Sequence, residues 1–348
     1  MNPSTHTPSP NTDSSDSGTT DSVAPSRAAR GSLERWALLI IFIVMIGVFA
    51  IAIPGTFTSY ANIRVILNGQ AVIAIAALAL LIPLVGGRFD VSIGSIIGLS
   101  SITTASAMSH FELPAAVAMA LGVVVGCVVG IVNGFFIAYL GVNSLIATLG
   151  TATIIVGLIQ WYTGGAPVSS GIDPSLTSIS VAQVLGVPLL AIIMTIAAVA
   201  IWYVLTQTVY GRQLTAIGVN LEASRLSGLP VRRHIFMSFV LSGSVAGVAG
   251  TLQLARQGSG DPSLGGVEFI LPALAAVFLG ATAFQPGRYN VPGTILGLFF
   301  VGVAVSGLSL LGAKPWVQPV FNGAIVLLAV AASQLATRRR TGTAPIGG

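Results

Sequence analysis

Charged residues are scarce in this sequence. Asp, Glu, Lys and Arg make up 7% of its 348 residues, whereas hydrophobic residues make up 54% and the mean hydropathy is +0.91. Soluble domains carry about 25% charged residues, so this composition excludes a protein whose whole surface faces water. It predicts an integral membrane protein embedded in the lipid bilayer.

Residues that carry covalent or metal chemistry are also few. The single cysteine, Cys127, excludes an intrachain disulfide, and the three histidines are too scattered to predict a metal site. The one lysine, Lys314, stands before a proline, so the chain has no G-x-x-x-x-G-K-[ST] phosphate loop. We therefore expect no catalytic residue, metal or cofactor in this chain. Its net charge of +5 bears on membrane topology and does not predict nucleic-acid binding.

Ten apolar segments approach the length of about 20 residues that a membrane-crossing helix needs. They are 36–54, 63–85, 92–109, 113–139, 144–162, 186–206, 235–255, 267–284, 292–312 and 315–336. The third and fifth are rich in Ser, Thr and Gly, which leaves open whether they are continuous or re-entrant. The sequence predicts an all-α polytopic protein with a disordered tail at 1–34, a transmembrane domain at 35–337 and a short tail at 338–348.

The basic residues predict the orientation of these segments. With a cytoplasmic N-terminus and ten crossings, only Arg64, Arg256 and Lys314 of the fifteen Lys and Arg residues fall outside. This bias follows the positive-inside rule, and one more or one fewer crossing would destroy it. Both termini are therefore predicted to be cytoplasmic.

One polar stretch, "GGRFDVSIGS" at 86–95, interrupts the apolar pattern. An aspartate at the middle of a membrane helix costs about 2.5–3.5 kcal/mol, but Arg88 and Asp90 fall at the predicted cytoplasmic junction between the second and third segments. Asp90 is suited to cap the third helix by accepting from its free backbone N–H groups. A role in a cytoplasmic gate, with Arg88 or with a partner chain, is the alternative.

A similar stretch recurs two hundred residues later. "GRFDVSIGSIIGL" at 87–99 matches "GRYNVPGTILGL" at 287–298, with Asp90 replaced by Asn290. Asn and Asp are both good helix N-caps, and internal repeats are frequent in transporters. The match predicts an internal structural repeat, unless Gly-Arg turns recur here by chance between arginine-rich cytoplasmic ends.

The longest cytoplasmic loop is predicted at 208–234. Its centre, "NLEASRLSGLP", reads as a short helix that Asn220 caps and that Gly228 and Pro230 end. Such a helix would dock a partner, whereas the simpler interpretation is a solvated loop whose arginines set the topology.

Neutral polar residues in the apolar segments are candidates for a transport pathway. They are Asn68, Gln70, Ser101, Thr104, Asn133, Gln160, Gln253 and Asn322. Ser and Thr can instead bond their own helix, and amides can hold helices together. No acidic residue falls in the interior of a predicted crossing, which disfavours an ion-coupled carrier. Gly122, Gly126, Gly130 and Gly134 form a ladder on one helix face, which predicts close helix packing.

Several motifs occur in the order found in one family. "GGRFDVSIGS", "VNGFFIAYLGVNSLIATLGTATIIVGLIQWYTGG" (132–165) and "GRQLTAIGVNLEASRLSGLPV" (211–231) resemble segments of the permease subunits of monosaccharide ABC importers of the ribose, xylose and arabinose type. Arg288, Gly293 and Gly297 fit a late glycine-rich segment, so the resemblance covers about 36–335. The chain departs from the family where Asn143 and Ser144 replace prolines and where Arg88–Phe89 replaces isoleucine.

The resemblance implies a subunit of a bacterial inner-membrane importer for a sugar. It implies as partners an extracytoplasmic sugar-binding protein, a second permease copy and an ABC ATPase, which would bind ATP and Mg. The family's coupling helix corresponds to Glu222, Ala223, Ser224, Arg225, Leu226, Ser227 and Gly228, and its signature motif to Gly87, Arg88, Asp90, Ser92 and Gly94. The alternatives are a nucleoside or branched-chain amino acid permease of the same class and an ion-coupled secondary transporter.

Overall fold

The computed structural model describes residues 27–264 and 266–341, and these residues are mostly helical. The helices are α1 (Arg27–Ala52), α2 (Tyr60–Val85), α3 (Ile93–Ser109), α4 (Ala115–Ala138), α5 (Ser144–Thr163), α6 (Pro174–Val181), α7 (Leu189–Gln207), α8 (Val209–Val219), α9 (Leu221–Leu226), α10 (Val231–Gln257), α11 (Val267–Gly280), α12 (Val291–Leu310) and α13 (Val317–Thr341). Two strands of two residues each, β1 (Gln183–Val184) and β2 (Val187–Pro188), pair in an antiparallel hairpin. The all-α fold class is confirmed.

Six of the helices are long and apolar enough to cross a membrane: α2, α4, α5, α7, α10 and α12. Shorter apolar stretches lie in α1, α3, α11 and α13, at 36–52, 93–109, 268–280 and 317–328. Together these ten helices follow the ten predicted segments in order, and α3 and α5 are each one uninterrupted helix. The protein is a multi-pass membrane protein, while the number of ten crossings stays a prediction.

The first and last helices extend beyond the predicted transmembrane domain at 35–337, and the boundaries of the two tails stay predictions. The first helix begins at Arg27, so 27–34 are helical, and the last helix continues to Thr341. Arg, Ala, Leu and Glu are good helix formers, and they carry α1 beyond its apolar part. The rest of each predicted tail, 1–26 and 342–348, lies outside the described residues.

Helices α2 and α10 form the centre of the bundle. Helix α10 packs against α4, α3 and α2, and α2 also packs against α7, α11 and α12. The peripheral helices α4, α5 and α7 expose large apolar side chains, among them Val124, Ile154 and Ile196. Lipid is the solvent that such a surface suits.

The glycine ladder of α4 packs against a second row of small residues on α10. A Cβ atom on Gly130 would lie 3.0 Å from Val240 Cα and closer still to the carbonyl oxygen of Phe239. On the opposite helix, a Cβ atom on Gly247 would lie 2.9 Å from Val123 Cα. The two backbones are therefore too close for any side chain between them, as the ladder predicts.

A segment between α5 and α7 was not expected to be structured. It holds α6, which Asp173 caps through Ser175 N at 2.8 Å, and the β1–β2 hairpin. The Tyr60 hydroxyl at the start of α2 donates to the carbonyl oxygen of Gly186 in the hairpin turn. In the predicted topology this segment lies on the extracytoplasmic side.

Candidate functional site

The polar motif of the sequence forms a tight loop between α2 and α3, residues 86–92. Helix α2 ends because Gly87 takes a left-handed conformation, at φ 73°, that favours glycine. The N–H of Gly87 donates to Leu84 O at 3.0 Å, and that of Arg88 donates to Pro83 O at 2.9 Å. The chain turns there and runs back into the bundle before α3 begins.

Asp90 is fully buried in this loop. Its Oδ1 accepts from the Ser92 backbone N–H at 3.1 Å and from Ser92 Oγ at 2.5 Å, and its Oδ2 accepts from Ser242 Oγ of α10 at 3.2 Å. Ser242 lies eleven residues after Val231, which is about 16 Å along the helix at 1.5 Å per residue. Asp90 therefore contacts the interior of the bundle instead of lying at its surface.

Asp90 makes one bond of the kind that a helix cap makes. Its Oδ1 accepts the backbone N–H two residues ahead, that of Ser92, while Ser92 itself has helical backbone angles and makes no side-chain cap bond. That Asp90 caps α3 therefore stays a prediction. At the matching place in the second stretch Asn290 is a true N-cap, since its Oδ1 accepts from Gly293 N at 2.7 Å.

The two matching stretches share one backbone feature. Gly287, like Gly87, has a positive φ, at 80°. The helices around them differ, because α11 and α12 pack closely along each other while α2 and α3 touch little. An internal structural repeat therefore stays a prediction.

Two further helices bond to the same loop, and a third contacts it through an aromatic ring. Asn133 Nδ2 of α4 donates to Ser92 Oγ at 2.8 Å, and Asn133 is fully buried. On α5, Ser144 Oγ accepts from Phe89 N at 3.2 Å and Thr148 Oγ1 accepts from Val91 N at 3.1 Å. The two places where the chain departs from the family pattern, Phe89 and Ser144, are thus in direct contact. The Phe89 ring lies 6.4 Å from that of Phe278 in α11.

The predicted short cytoplasmic helix is present as α9. Asn220 caps it by accepting from Ala223 N at 3.0 Å, and Gly228 follows it with φ 77°. An ion pair of 2.8 Å joins Glu222 and Arg225 on its exposed face, and Leu226 is 89% exposed. Of the seven residues predicted to couple to the ATPase, only Ser224 is buried.

Helix α8, which precedes α9, was not predicted. Its apolar Leu214 and Ile217 are buried, and Thr208 caps it by accepting from Gly211 N at 3.2 Å. Burial raises the pKa of the Tyr210 phenol, which keeps the hydroxyl a donor, and it donates to His234 O at 3.3 Å. The spacing of Tyr210, Leu214 and Ile217 is the signal that reveals this helix in the sequence.

The candidate pathway residues fall into separate groups. Buried oxygens without a hydrogen-bond partner among the described residues are Asn68 Oδ1, Ser101 Oγ, Ser106 Oγ, Asn133 Oδ1, Gln253 Oε1 and Asn322 Oδ1. Asn68, Ser101 and Gln253 stand on α2, α3 and α10, and α10 packs against the other two. Arg256 of α10 donates to Gly69 O of α2 at 3.3 Å, which joins these helices at that level.

The remaining candidates have other positions. Thr104 donates to Ser100 O of its own helix at 2.8 Å. Gln70 packs against Gly302, whose Cβ would lie 2.6 Å from Gln70 Cδ, and Gln160 is exposed on α5. Asn322 is buried on α13, which packs against α11 and α12 and away from the other candidates.

A bundle of apolar helices with neutral polar groups buried between them defines a polytopic membrane protein of the transport class. A family described as the branched-chain amino acid transport system permease component matches residues 62–330, and the chain belongs to this permease family. The permease resemblance drawn from the motifs is confirmed.

Individual relatives cover most of the chain. It is 34% identical over 295 residues, 84% of this chain and 91% of the relative, to the ribose import permease protein RbsC of Escherichia coli (strain K12). It is 29% identical over 305 residues, 88% of this chain and 93% of the relative, to the D-allose transport system permease protein AlsC of the same organism. It is 32% identical over 272 residues, 77% of this chain and 82% of the relative, to the autoinducer 2 import system permease protein LsrD of Yersinia enterocolitica. No solved structure matches the chain.

Proposed function

We propose that this permease subunit imports a sugar in an ATP-driven importer. An extracytoplasmic binding protein delivers the sugar, a second permease copy completes the pathway, and a separate ATPase chain supplies the energy. The names of the relatives, which import ribose and D-allose, support a sugar as substrate.

The observation that carries the proposal is the exposed helix α9. A helix of six residues between two membrane helices is too short to be stable by itself, yet here it is capped and packed on a buried cluster that includes Ile217, Ile235 and Phe239, with Leu221 against it. It presents an apolar Leu226 beside the Glu222–Arg225 pair. An exposed apolar side chain on a short helix suits a groove on a partner protein, and the ATPase is the partner we assign to it.

The buried polar groups favour a sugar over an amino acid. The unpartnered atoms of Asn68, Ser101 and Gln253 are uncharged. Such groups match the hydroxyls of a neutral sugar, whereas the ammonium and carboxylate of an amino acid call for charged partners when they leave water. The family description mentions branched-chain amino acids, so this alternative belongs in the test.

The test is uptake into proteoliposomes that contain this chain, its ATPase and its binding protein. Labelled pentoses, hexoses, nucleosides and branched-chain amino acids are offered in turn, with and without ATP. We expect uptake of one sugar that requires ATP and both partners. Uptake of a nucleoside or an amino acid instead, or uptake by this chain alone under an ion gradient, would contradict the proposal.

A second measurement tests the assignment of α9. In the variant with Glu222→Ala and Arg225→Ala we expect co-purification of the ATPase to fall about tenfold, since charged groups at an interface set orientation and binding. The matched control is Lys314→Ala, which removes an exposed charge that the predicted topology places on the opposite side of the membrane from α9. Equal ATPase recovery from both variants would refute the docking role of α9.

A further inference from the structure

Resting on the proposed function, we propose that Asp90 is a positioning residue that couples the ATPase-docking end of the chain to the transport helices. Its hydrogen bond to Ser242 locks the 86–92 loop to α10. The loop is then the element through which displacement of α9 reaches the pathway.

The first step is the connection from α9 to α8. Asn220 is the only residue between them; its N–H donates to Ala216 O of α8 at 3.1 Å, and its side chain caps α9. Because Asn220 both ends α8 and caps α9, the two helices have little freedom to move relative to each other. A displacement of α9 therefore moves α8.

The second step is the contact of α8 with the start of the loop. A Cβ atom on Gly86 would lie 2.7 Å from Leu214 Cδ1, and one on Gly218 would overlap the carbonyl group of Val85. The contact between Gly218 and Val85 is backbone to backbone, so no soft side chain lies there to absorb a displacement. Movement of α8 is thus passed to residues 85–87.

The third step is the attachment of the loop to the helices behind it. Asp90 bonds to Ser242 of α10, and Ser92 bonds to Asn133 of α4. Helices α4 and α10 meet along the glycine ladder of α4. Helix α10 continues to Gln253, whose Oε1 has no hydrogen-bond partner among the described residues. The loop is therefore held by two of the helices that carry candidate pathway residues, α4 with Asn133 and α10 with Gln253.

Ser242 differs from the other hydroxyl residues of α10. Ser238, Ser244 and Thr251 donate to carbonyl oxygens of α10 itself, namely those of Ile235, Val240 and Val248. Ser242 alone among them donates to another element.

The buried Asp90 carboxylate depends on the hydroxyl and N–H donors of Ser92 and Ser242, because in residues 27–264 and 266–341 no basic side chain forms an ion pair with it. A buried acceptor that loses its donor is strongly disfavoured. The hydrogen bond from Ser242 to Asp90 therefore holds the 86–92 loop against α10.

The test compares two serines one turn apart on the same helix. Ser242→Ala removes the bond to Asp90, and the control Ser238→Ala removes a hydroxyl that bonds only to its own helix; both side chains are buried. In the reconstituted importer we expect Ser242→Ala to retain both ATPase co-purification and ATP hydrolysis. We expect the amount of sugar imported per ATP to fall about tenfold, because the loss of one hydrogen bond to a charged group corresponds to a factor of about ten. We expect Ser238→Ala to resemble the unmodified protein in all three. Equal import per ATP in the two variants would overturn the proposal.

A second variant, Asp90→Asn, tests the proposal in case Ser242→Ala does not fold. Asp90→Asn keeps an acceptor oxygen for Ser92 and places an amide donor opposite Ser242 Oγ, so the attachment survives without the charge. We expect import per ATP to stay within about threefold of the unmodified value, because a neutral hydrogen bond is about half as strong as a charged one. A loss of tenfold or more with intact ATPase binding would show that the charge matters and the attachment does not.

A measurement without transport separates this proposal from the proposed function. Hydrogen–deuterium exchange of the 86–92 amides is recorded for the chain in detergent. Ser242→Ala is expected to speed their exchange about tenfold, and Ser238→Ala to leave it unchanged. If the unmodified complex imports no sugar, the proposed function fails, and exchange still decides whether Ser242 holds the loop.

Discussion

The close packing of the glycine ladder of α4 against α10 allows a quantitative prediction of how much one added methyl group destabilises the protein. Gly130→Ala places a carbon 3.0 Å from Val240 Cα, where carbon atoms normally rest about 3.5–4.0 Å apart. The two helices must separate by roughly 0.5–1 Å, and overpacking of this kind costs about 1–3 kcal/mol. Gly157→Ala on α5 is the matched control, because a methyl group there meets nothing within 4 Å.

Both variants gain the same helix propensity from replacing glycine, up to about 1 kcal/mol. The difference between them isolates the cost of the contact, and we expect Gly130→Ala to be less stable by about 1–3 kcal/mol. Thermal unfolding in detergent, followed by size-exclusion chromatography with fluorescence detection, measures the difference. Equal stability of the two variants would refute the argument that the helices touch backbone to backbone.

Three further predictions concern other parts of the chain. Asn220→Ala removes the cap of α9 and should cost about 1 kcal/mol of local stability, seen as lower ATPase recovery, whereas Asn220→Asp should restore it. Gln253→Ala should weaken sugar uptake, while Gln160→Ala, on an exposed face of α5, should leave it unchanged; the reverse result would place the pathway elsewhere. Leu185→Gly should raise the thermal stability by about 1 kcal/mol, because Leu185 has φ 52° in the hairpin turn and glycine adopts that conformation without strain; a loss of stability would contradict this.

The ten longer apolar helices were predictable from sequence because each contains an apolar run in a chain with few charges. Helix α9 was also predictable, since Asn220, Gly228 and Pro230 are specific start and stop signals. The hairpin at 183–188 and α6 were missed because they are short and lie in a region without strong periodicity. Good helix formers extend α1 and α13 beyond their apolar parts, which the apolar pattern alone does not predict.

The site was less predictable than the fold. Asp90 was singled out as unusual, but its partner Ser242 stands 152 residues away and looks like any small residue of a membrane helix. Thr148 and Ser144 were missed for the same reason, since a side chain that accepts from a distant loop leaves no local pattern. Local rules identify Asp90 as a cap from the residues beside it, and its bond to the Ser92 N–H is of that kind, but they give no sign of the tertiary contact with Ser242.

The comparison of position 90 with position 290 leads to a last prediction. Asn290 uses both ends of its amide: Oδ1 accepts from Gly293 N, while Nδ2 donates to Arg288 O at 3.1 Å and Ala283 O at 3.3 Å. Asp at this position caps a helix as well as Asn does, but it has no donor and would set a carboxylate against two carbonyl oxygens.

We therefore expect Asn290→Asp to destabilise the protein by about 1–2 kcal/mol, although a view of position 290 as a simple cap predicts no change. Asn290→Ala, which removes cap and donors together, is the reference for full loss. Thermal unfolding of the three proteins decides the matter, and an Asn290→Asp variant as stable as the unmodified chain would show that the cap alone is used. The contacts require more than a cap at position 290, because the Asn290 amide also donates, whereas Asp90 only accepts.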